Sequence, residues 1–251
     1  MLALYKKLGY EFVALADHNL VTVASSSSIL VIGQEFGKGS TESSGRGHMV
    51  GLNVVSYPSP GATPQRRISR MTSQGGLVFL SHPNTGAGWS TPMMRSLHSY
   101  MGIEIYNCNH DESAVRKWDE LLTAGKKVWG FAVDDAHYLD QFGKGWVMVR
   151  FAGEPTTNKV LGALRRGSFY STQGPEVAEI AVDGHAIRLR ATGADRIVFR
   201  GPGGKALQTT RSSTAVYELS GNEGYVRVEL VNSDTGLRAW MQPMTVVEAT
   251  Q

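Results

Sequence analysis

Short apolar runs that end in acidic or imidazole residues punctuate the first part of the chain. Phe12-Val13-Ala14-Leu15-Ala16 leads into Asp17-His18, Ile29-Leu30-Val31-Ile32 precedes Glu35, Leu77-Val78-Phe79-Leu80 precedes His82, and Val128 to Val133 precedes Asp134-Asp135. Continuous runs of this length predict strands buried on both faces, as in parallel sheets. Between them, Arg67 to Gln74 predicts a helix stopped by Gly75-Gly76. His110 to Ala124, with Val115, Trp118, Leu121 and Leu122 at helical spacing, predicts another helix stopped by Gly125. Residues 37–47, rich in Gly and Ser, predict a loop between Glu35 and His48. Up to about residue 150 the alternation therefore predicts a parallel α/β unit. In such units chemistry gathers at the C-terminal strand ends, where several loops converge.

Beyond residue 150 the period changes. Asn158 to Arg166 predicts one last helix, and Gly167-Ser168-Phe169-Tyr170 leads into short alternating stretches at Val177 to Val182, Ala186 to Ala191, Arg196 to Arg200, Ala215 to Leu219 and Tyr225 to Asn232. Turn signals at Asp183-Gly184, Gly201-Pro202-Gly203-Gly204 and Asp234-Thr235-Gly236 separate them. The pattern predicts a small antiparallel β-sandwich, so that residues 1–168 and 169–251 form two units. The second unit carries no cluster of titratable side chains and reads as a structural companion, with Trp240 and Met241-Gln242-Pro243 packed onto the first unit or an adjoining strand.

Composition narrows the function classes. The formal charge of +3 comes from interspersed Lys and Arg without a long basic run, which argues against nucleic-acid binding. No apolar stretch reaches the roughly 20 residues of a membrane span. The single cysteine, Cys108, excludes an intrachain disulfide framework and a Cys-rich zinc module, and reads as a small buried apolar residue. Gly37-Lys38-Gly39-Ser40 has the wrong spacing from Gly33 for a phosphate loop, and no G-x-S-x-G elbow occurs. Met1 to Gly9 lacks the features of a signal peptide and reads as a helix entered without a cap, so the chain is expected to begin inside an element. The sequence assigns no cell compartment.

What the polar residues at the strand ends offer is a donor set: four histidines, His18, His48, His82 and His137, with Glu35 and Asp135. Zn, Mn and Fe accept imidazole and carboxylate, and a carboxylate can bridge two such ions. A hydrolase uses such ions to ionise water near neutral pH. Asp134 is either an orienting partner for a histidine or an exposed acid at a strand end, and Glu104 either faces the site or caps backbone. Tyr106, Asn107, Asn19 and Asn84 are candidate pocket groups, while His98, His110 and His185 read as surface residues, His110 being close enough to the Glu104 strand to lean inward.

In order and spacing, Ala16-Asp17-His18-Asn19, Gly33-Gln34-Glu35, Gly47-His48-Met49, Ser81-His82-Pro83-Asn84, Glu104-Ile105-Tyr106-Asn107 and Val133-Asp134-Asp135-Ala136-His137 resemble the successive motifs of the PHP (polymerase and histidinol phosphatase) superfamily. Trp118-Asp119-Glu120-Leu121-Leu122, Gly167 to Pro175, Tyr225 to Glu229 and Ala239 to Pro243 are similar to its CehA/McbA-type metallohydrolase branch. The resemblance implies a distorted (β/α)7-type barrel followed by a β-sandwich, holding divalent ions (Zn, Mn or Fe). It implies Glu35 as a bridging carboxylate, His48 and His82 on a second metal, His18 and His137 on a third, and Asp135 on the first, with Glu35, Asp135 and His137 closest to the chemistry. The superfamily opens with a strand ending in His-x-His, which this sequence does not contain. The barrel is therefore expected to be incomplete, with one to three ions per chain, a weakened first site and an open strand edge that a homodimer would cover. The expected activity is metal-dependent hydrolysis of small-molecule esters, phosphoesters first, with aryl carbamates or carboxylic esters as the alternative. A non-catalytic binding module is the reading favoured by the missing motif.

Overall fold

The computed structural model describes residues 1–17, 30–31, 33–36, 47–56, 61–85, 88–108 and 113–246. In chain order the first part contains α1 (Leu2–Lys7), β1 (Phe12–Val13), β2 (Leu30–Val31), β3 (Gly33–Phe36), β4 (Met49–Leu52), α2 (Pro64–Thr72), β5 (Leu77–Leu80), α3 (Thr91–Ser96), β6 (Gly102–Asn107), α4 (Ser113–Thr123), β7 (Trp129–Val133), β8 (Trp146–Val149) and α5 (Thr157–Arg165). Strands β3 to β7 form a five-stranded sheet in sequence order. Both of its faces are covered. Met49, Val78, Leu80, Ile103 and Ile105 pack with Ile68 of α2 and Trp118 and Leu121 of α4. Val50, Leu52, Phe79 and Phe131 meet Val160, Leu161 and Leu164 of α5. This double burial is why the strands read as unbroken apolar runs.

The expected parallel arrangement is corrected here. The sheet is only partly parallel: β5, β6 and β7 are parallel, whereas β4 runs antiparallel to both β3 and β5. Strands buried on both faces have the same composition in either direction, so apolar runs alone do not distinguish the two. No (β/α)7 arrangement is seen among the described residues, where β1 pairs with β2 as a separate parallel pair and five α-helices are present.

The second unit continues with β9 (Phe169–Thr172), β10 (Glu176–Val182), β11 (Ala186–Thr192), β12 (Arg196–Arg200), β13 (Ala206–Thr210), β14 (Thr214–Glu218), β15 (Tyr225–Val231), β16 (Arg238–Met241) and β17 (Met244–Thr245). A three-stranded sheet, β10-β11-β14, faces a seven-stranded sheet ordered β13-β12-β15-β16-β9-β8 with β17 on β15. Ile187 and Leu189 from one sheet interdigitate with Phe199, Val226 and Val228 from the other, which is the expected sandwich core. The larger sheet reaches back to take in β8, ahead of residue 169.

The two units are fastened by charge and shape. Arg227 of β15 donates to both oxygens of Asp119 on α4 at 2.7 and 2.6 Å and lies over the Trp118 ring. The turn 201–204 docks against the same helix, where a Cβ on Gly204 would fall 2.4 Å from Asp119 Oδ2. Trp240 is fully buried and stacks on Tyr106 of β6, as expected for a residue packed onto the first unit. No helix among the described residues is long and apolar enough to cross a membrane.

Candidate functional site

His48 and His82 meet because β4 and β5 are neighbours. His48 stands just ahead of β4, and its carbonyl accepts from Ser81 N–H at 3.0 Å and from the Trp89 indole at 2.9 Å. The indole lies so close that a Cβ on Gly47 would be 2.0 Å from its ring, so only glycine fits there. His82 follows β5 by two residues, and its Nε2 lies 3.1 Å from His48 Nδ1. Two imidazoles on a tetrahedral ion with bonds of about 2.0–2.1 Å have nitrogens roughly 3.3 Å apart. The observed pair is close to that spacing, and its chemistry fits a divalent ion.

His82 adopts φ +25°, a conformation uncommon for a residue with a side chain. Its N–H donates to Glu104 Oε2 at 2.7 Å. Glu104 comes from β6, where the register slips between Glu104 and Tyr106 so that Ile105 is bulged. In a regular strand, residues three apart point to opposite faces. The bulge brings Asn107 back towards Glu104. Asn107 Nδ2 then donates both to Glu104 Oε2 at 3.1 Å and to Asp135 Oδ2 at 3.0 Å. Burial pushes the Glu104 carboxyl up to about 7, with Asp135 adding to the rise and the His82 ring, His82 N–H and Asn107 opposing it.

Asp135 ends the loop out of β7 with φ +48°. Its carbonyl accepts from His137 Nδ1 at 2.8 Å. Because a carbonyl can only accept, Nδ1 carries a proton, and in the neutral ring this places the lone pair on Nε2, the tautomer required of a ligand or proton acceptor. Gln141 Oε1 accepts the N–H groups of His137 and Tyr138 and fixes the following turn. Two strained non-glycine residues thus sit in one site, a common mark of function.

Asp134 matches neither of its two readings, being buried and not bonded to a histidine ring by any observed hydrogen bond. Its carboxylate accepts from Tyr5 O–H at 3.0 Å and from the N–H groups of Gly143, Lys144 and Gly145 at 2.7 to 2.9 Å, so it organises the loop beyond β7 and anchors α1 rather than a histidine. Cys108 donates its thiol to Asp134 O, and burial, reinforced by nearby Asp134 and Asp135, pushes its pKa up to about 11; this is a packing residue, not a nucleophile. Tyr106 turns its ring to Trp240, and Asn84 lies in the turn after His82. His98 and His185 are exposed. His18, Asn19 and His110 lie outside the described residues, and Glu35 is described only as backbone, opposite Val50 in the β3–β4 register.

A cavity of about 970 Å³ opens beside Glu104, Asp135 and His137, with Phe12, Phe79 and Phe131 among its walls. His48–His82 and Asp135–His137 thus form two pairs joined by Glu104 and Asn107. Among the described residues no three His, Cys, Asp or Glu side chains come together as one metal cluster. Asn107 was among the pocket candidates, but the bulge at Ile105 that aims it was not visible in the sequence; its signal was the spacing of Glu104 from Asn107, which regular strand geometry does not satisfy.

No family model matches the chain. It is 28% identical over 125 residues to an uncharacterized protein of Methanocaldococcus jannaschii, covering 46% of this chain and 68% of the relative. A crystal structure of a two-domain protein containing a predicted PHP-like metal-dependent phosphoesterase, from Bacteroides vulgatus, superposes with a TM-score of 0.51 at 17% identity, over 94% of this chain and 86% of that one. At that identity the likeness concerns the fold alone.

Proposed function

We propose that this chain is a metal-dependent hydrolase of the PHP type, acting on ester bonds and on phosphoesters first. The observation that carries the reading is the His48–His82 pair with its ring nitrogens 3.1 Å apart. The Bacteroides protein, with its predicted PHP-like metal-dependent phosphoesterase, lends support through its similar two-unit fold. His48 and His82 would hold one ion, with Glu35 as carboxylate, and Asp135, His137 and His18 would serve others. A bound divalent ion supplies polarisation of the ester oxygen and acidifies water. The protein's own residues do the positioning: Glu104 holds His82 by its N–H, Asn107 ties Glu104 to Asp135, and Asp135 O keeps His137 in one tautomer. The aromatic wall at Phe12, Phe79 and Phe131 can exclude water and seat the organic part of an ester. That wall favours a second reading, hydrolysis of aryl carbamates or carboxylic esters.

Elemental analysis after mild dialysis tests the proposal. We expect near-stoichiometric transition metal in the wild type and its loss when His48→Ala and His82→Ala are combined. Parallel assays with phosphate monoesters, phosphate diesters and aryl carbamates rank the two ester readings. Turnover by metal-free wild type would defeat both.

A further inference from the structure

We infer that Gln242 and Ser171, in the second unit, are positioning residues for the site: they stand in for a neighbouring strand along the outer edge of β7. The inference rests on the function proposed above for its metal-binding and catalytic readouts, and not for its exchange readout. A strand presents the N–H and C=O groups of alternate residues to alternate edges. Trp129 N–H points to the β6 side, where it donates to Met101 O at 2.9 Å. Gly130 and Ala132 face the other way, and no strand pairs with β7 there among the described residues.

Side chains fill that edge instead. Gly130 N–H donates to Gln242 Oε1 at 2.9 Å, and Gln242 Nε2 donates back to Gly130 O at 2.8 Å. A side-chain amide here makes the same reciprocal pair of bonds that a strand residue would. One step along, Ala132 N–H donates to Ser171 Oγ at 2.9 Å, and that hydroxyl donates to Gly130 O at 2.8 Å. Gln242 and Ser171 are both buried. Position 130 itself is tight, since a Cβ there would lie 2.8 Å from the Ile105 side chain, at the bulge that aims Glu104 and Asn107. At the next alternate position, Asp134 O accepts from Cys108 and its carboxylate gathers the 143–145 loop.

The edge is thus bonded from Gly130 to Asp134, and the chain then turns into Asp135 at φ +48°. Ala132 lies three residues, about 10 Å, from Asp135. Constellations that do chemistry tolerate displacements of only about 0.5 Å. A slip of β7 against the second unit would therefore reach Asp135, Asn107 and His137 with little attenuation.

The test uses the full chain with Gln242→Leu, Gln242→Glu and Ser171→Ala, and Gln173→Ala as a control, because Gln173 bonds Arg238 N–H beside β9 without an observed bond to β7. Three readouts are compared well below the melting temperature: Mn²⁺ affinity by calorimetry, kcat and KM on bis(p-nitrophenyl) phosphate, and amide exchange of residues 134–137 in metal-free protein. We expect Gln242→Leu and Ser171→Ala to weaken Mn²⁺ binding and lower kcat tenfold or more at similar KM, with faster exchange at 134–137. Gln242→Glu, which keeps the acceptor for Gly130 N–H, should fall between, and Gln173→Ala should change none of the three. Should Gln242→Leu fail to fold, Ser171→Ala and Gln242→Glu decide. Lower melting with affinity, kcat and exchange all within twofold of wild type would reduce these residues to structural braces and overturn the inference. A wild type that neither binds Mn²⁺ nor turns over would sink the proposed function, and the exchange result would still decide whether Gln242 and Ser171 hold the end of β7.

Discussion

Glu104 in the first unit and Glu229 in the second are both almost out of solvent, 4% and 1% exposed, yet their surroundings are opposite. Burial raises Glu229, but Arg200, Arg227 and Arg238 together outweigh it and hold the carboxyl below the usual carboxylate range. Among the described residues Glu104 accepts an N–H from His82 and an amide from Asn107, and burial, outweighing these and the His82 ring, leaves it at about 7. The second unit answers buried charge with charge. The first leaves a carboxylate held by neutral donors next to a residue with strained backbone. Perturbation toward neutral pH in a cavity wall is common among working sites, and saturation by arginines suits a fastening.

The comparison breaks most visibly if the fastening is cut. Arg227→Ala strands Asp119, while Glu229 keeps Arg200 and Arg238, and removing one partner of a buried pair costs about 3–5 kcal/mol. We predict the largest drop in melting temperature of any substitution considered for this protein, read by calorimetry. A drop no larger than that of a surface variant would mean that packing around Trp118 and Trp240, not the ion pair, joins the units.

The two carboxylates also predict opposite pH dependence in metal-free protein. Glu104 has its folded pKa raised from the ordinary 4.5 to about 7, so the folded form binds the extra proton and stability falls as pH rises through that window. Glu104→Gln keeps an acceptor for His82 N–H and removes the penalty, and should be more stable than wild type above pH 7 by on the order of 2–4 kcal/mol while matching it near pH 4. Glu229 has its folded pKa lowered, so its contribution is complete above the ordinary carboxylate range and is lost as pH falls through the folded value. Denaturant unfolding across pH 3 to 9 in chelator separates the two. Parallel slopes for Glu104→Gln and wild type would show that Glu104 is already ionised in the fold.

Much of this was legible in the residues, and the remainder was not for identifiable reasons. Leu77–Leu80 and Arg196–Arg200 appear as strands at the bounds the apolar pattern marks, because their burial is decided locally. Met49–Leu52 carries Gly51 and follows a Gly-rich stretch, so it did not stand out although every residue in it is buried. His82 could be picked from its place after an apolar run, whereas His48, ahead of a strand that did not stand out, could be picked from the Gly47-His48-Met49 motif. The tie between Glu104, Asn107 and Asp135 depends on a bulge at Ile105, and a bulge is a property of pairing with β7 that no single strand displays. The same holds for Gln242 and Gly130, which are 112 residues apart. Reading the second unit as a companion identified the packing of Trp240 but could not show that its polar groups complete an edge of the sheet that bears the site.

The smallest predicted effect isolates burial as the deciding variable. Arg190 and Glu179 face each other across β10 and β11 with an N–O distance of 2.6 Å, the same as that of Arg227 and Asp119. The shortest distances match, although Arg227 grips both Asp119 oxygens and Arg190 bonds one oxygen of Glu179; the larger contrast is burial, with the Arg190 and Glu179 side chains 48% and 71% exposed and those of Arg227 and Asp119 1% and 7%. Water stabilises each exposed charge almost as well as its partner does, and salt screens what is left. We therefore predict that Glu179→Gln leaves the melting temperature within experimental scatter at physiological salt, and that any residual difference disappears as salt is raised. A loss comparable to that of Arg227→Ala would mean that the outer strand β10 is held by this pair rather than by Val177 and Ile180 in the sandwich core, and the contrast drawn between buried and exposed pairs would fail.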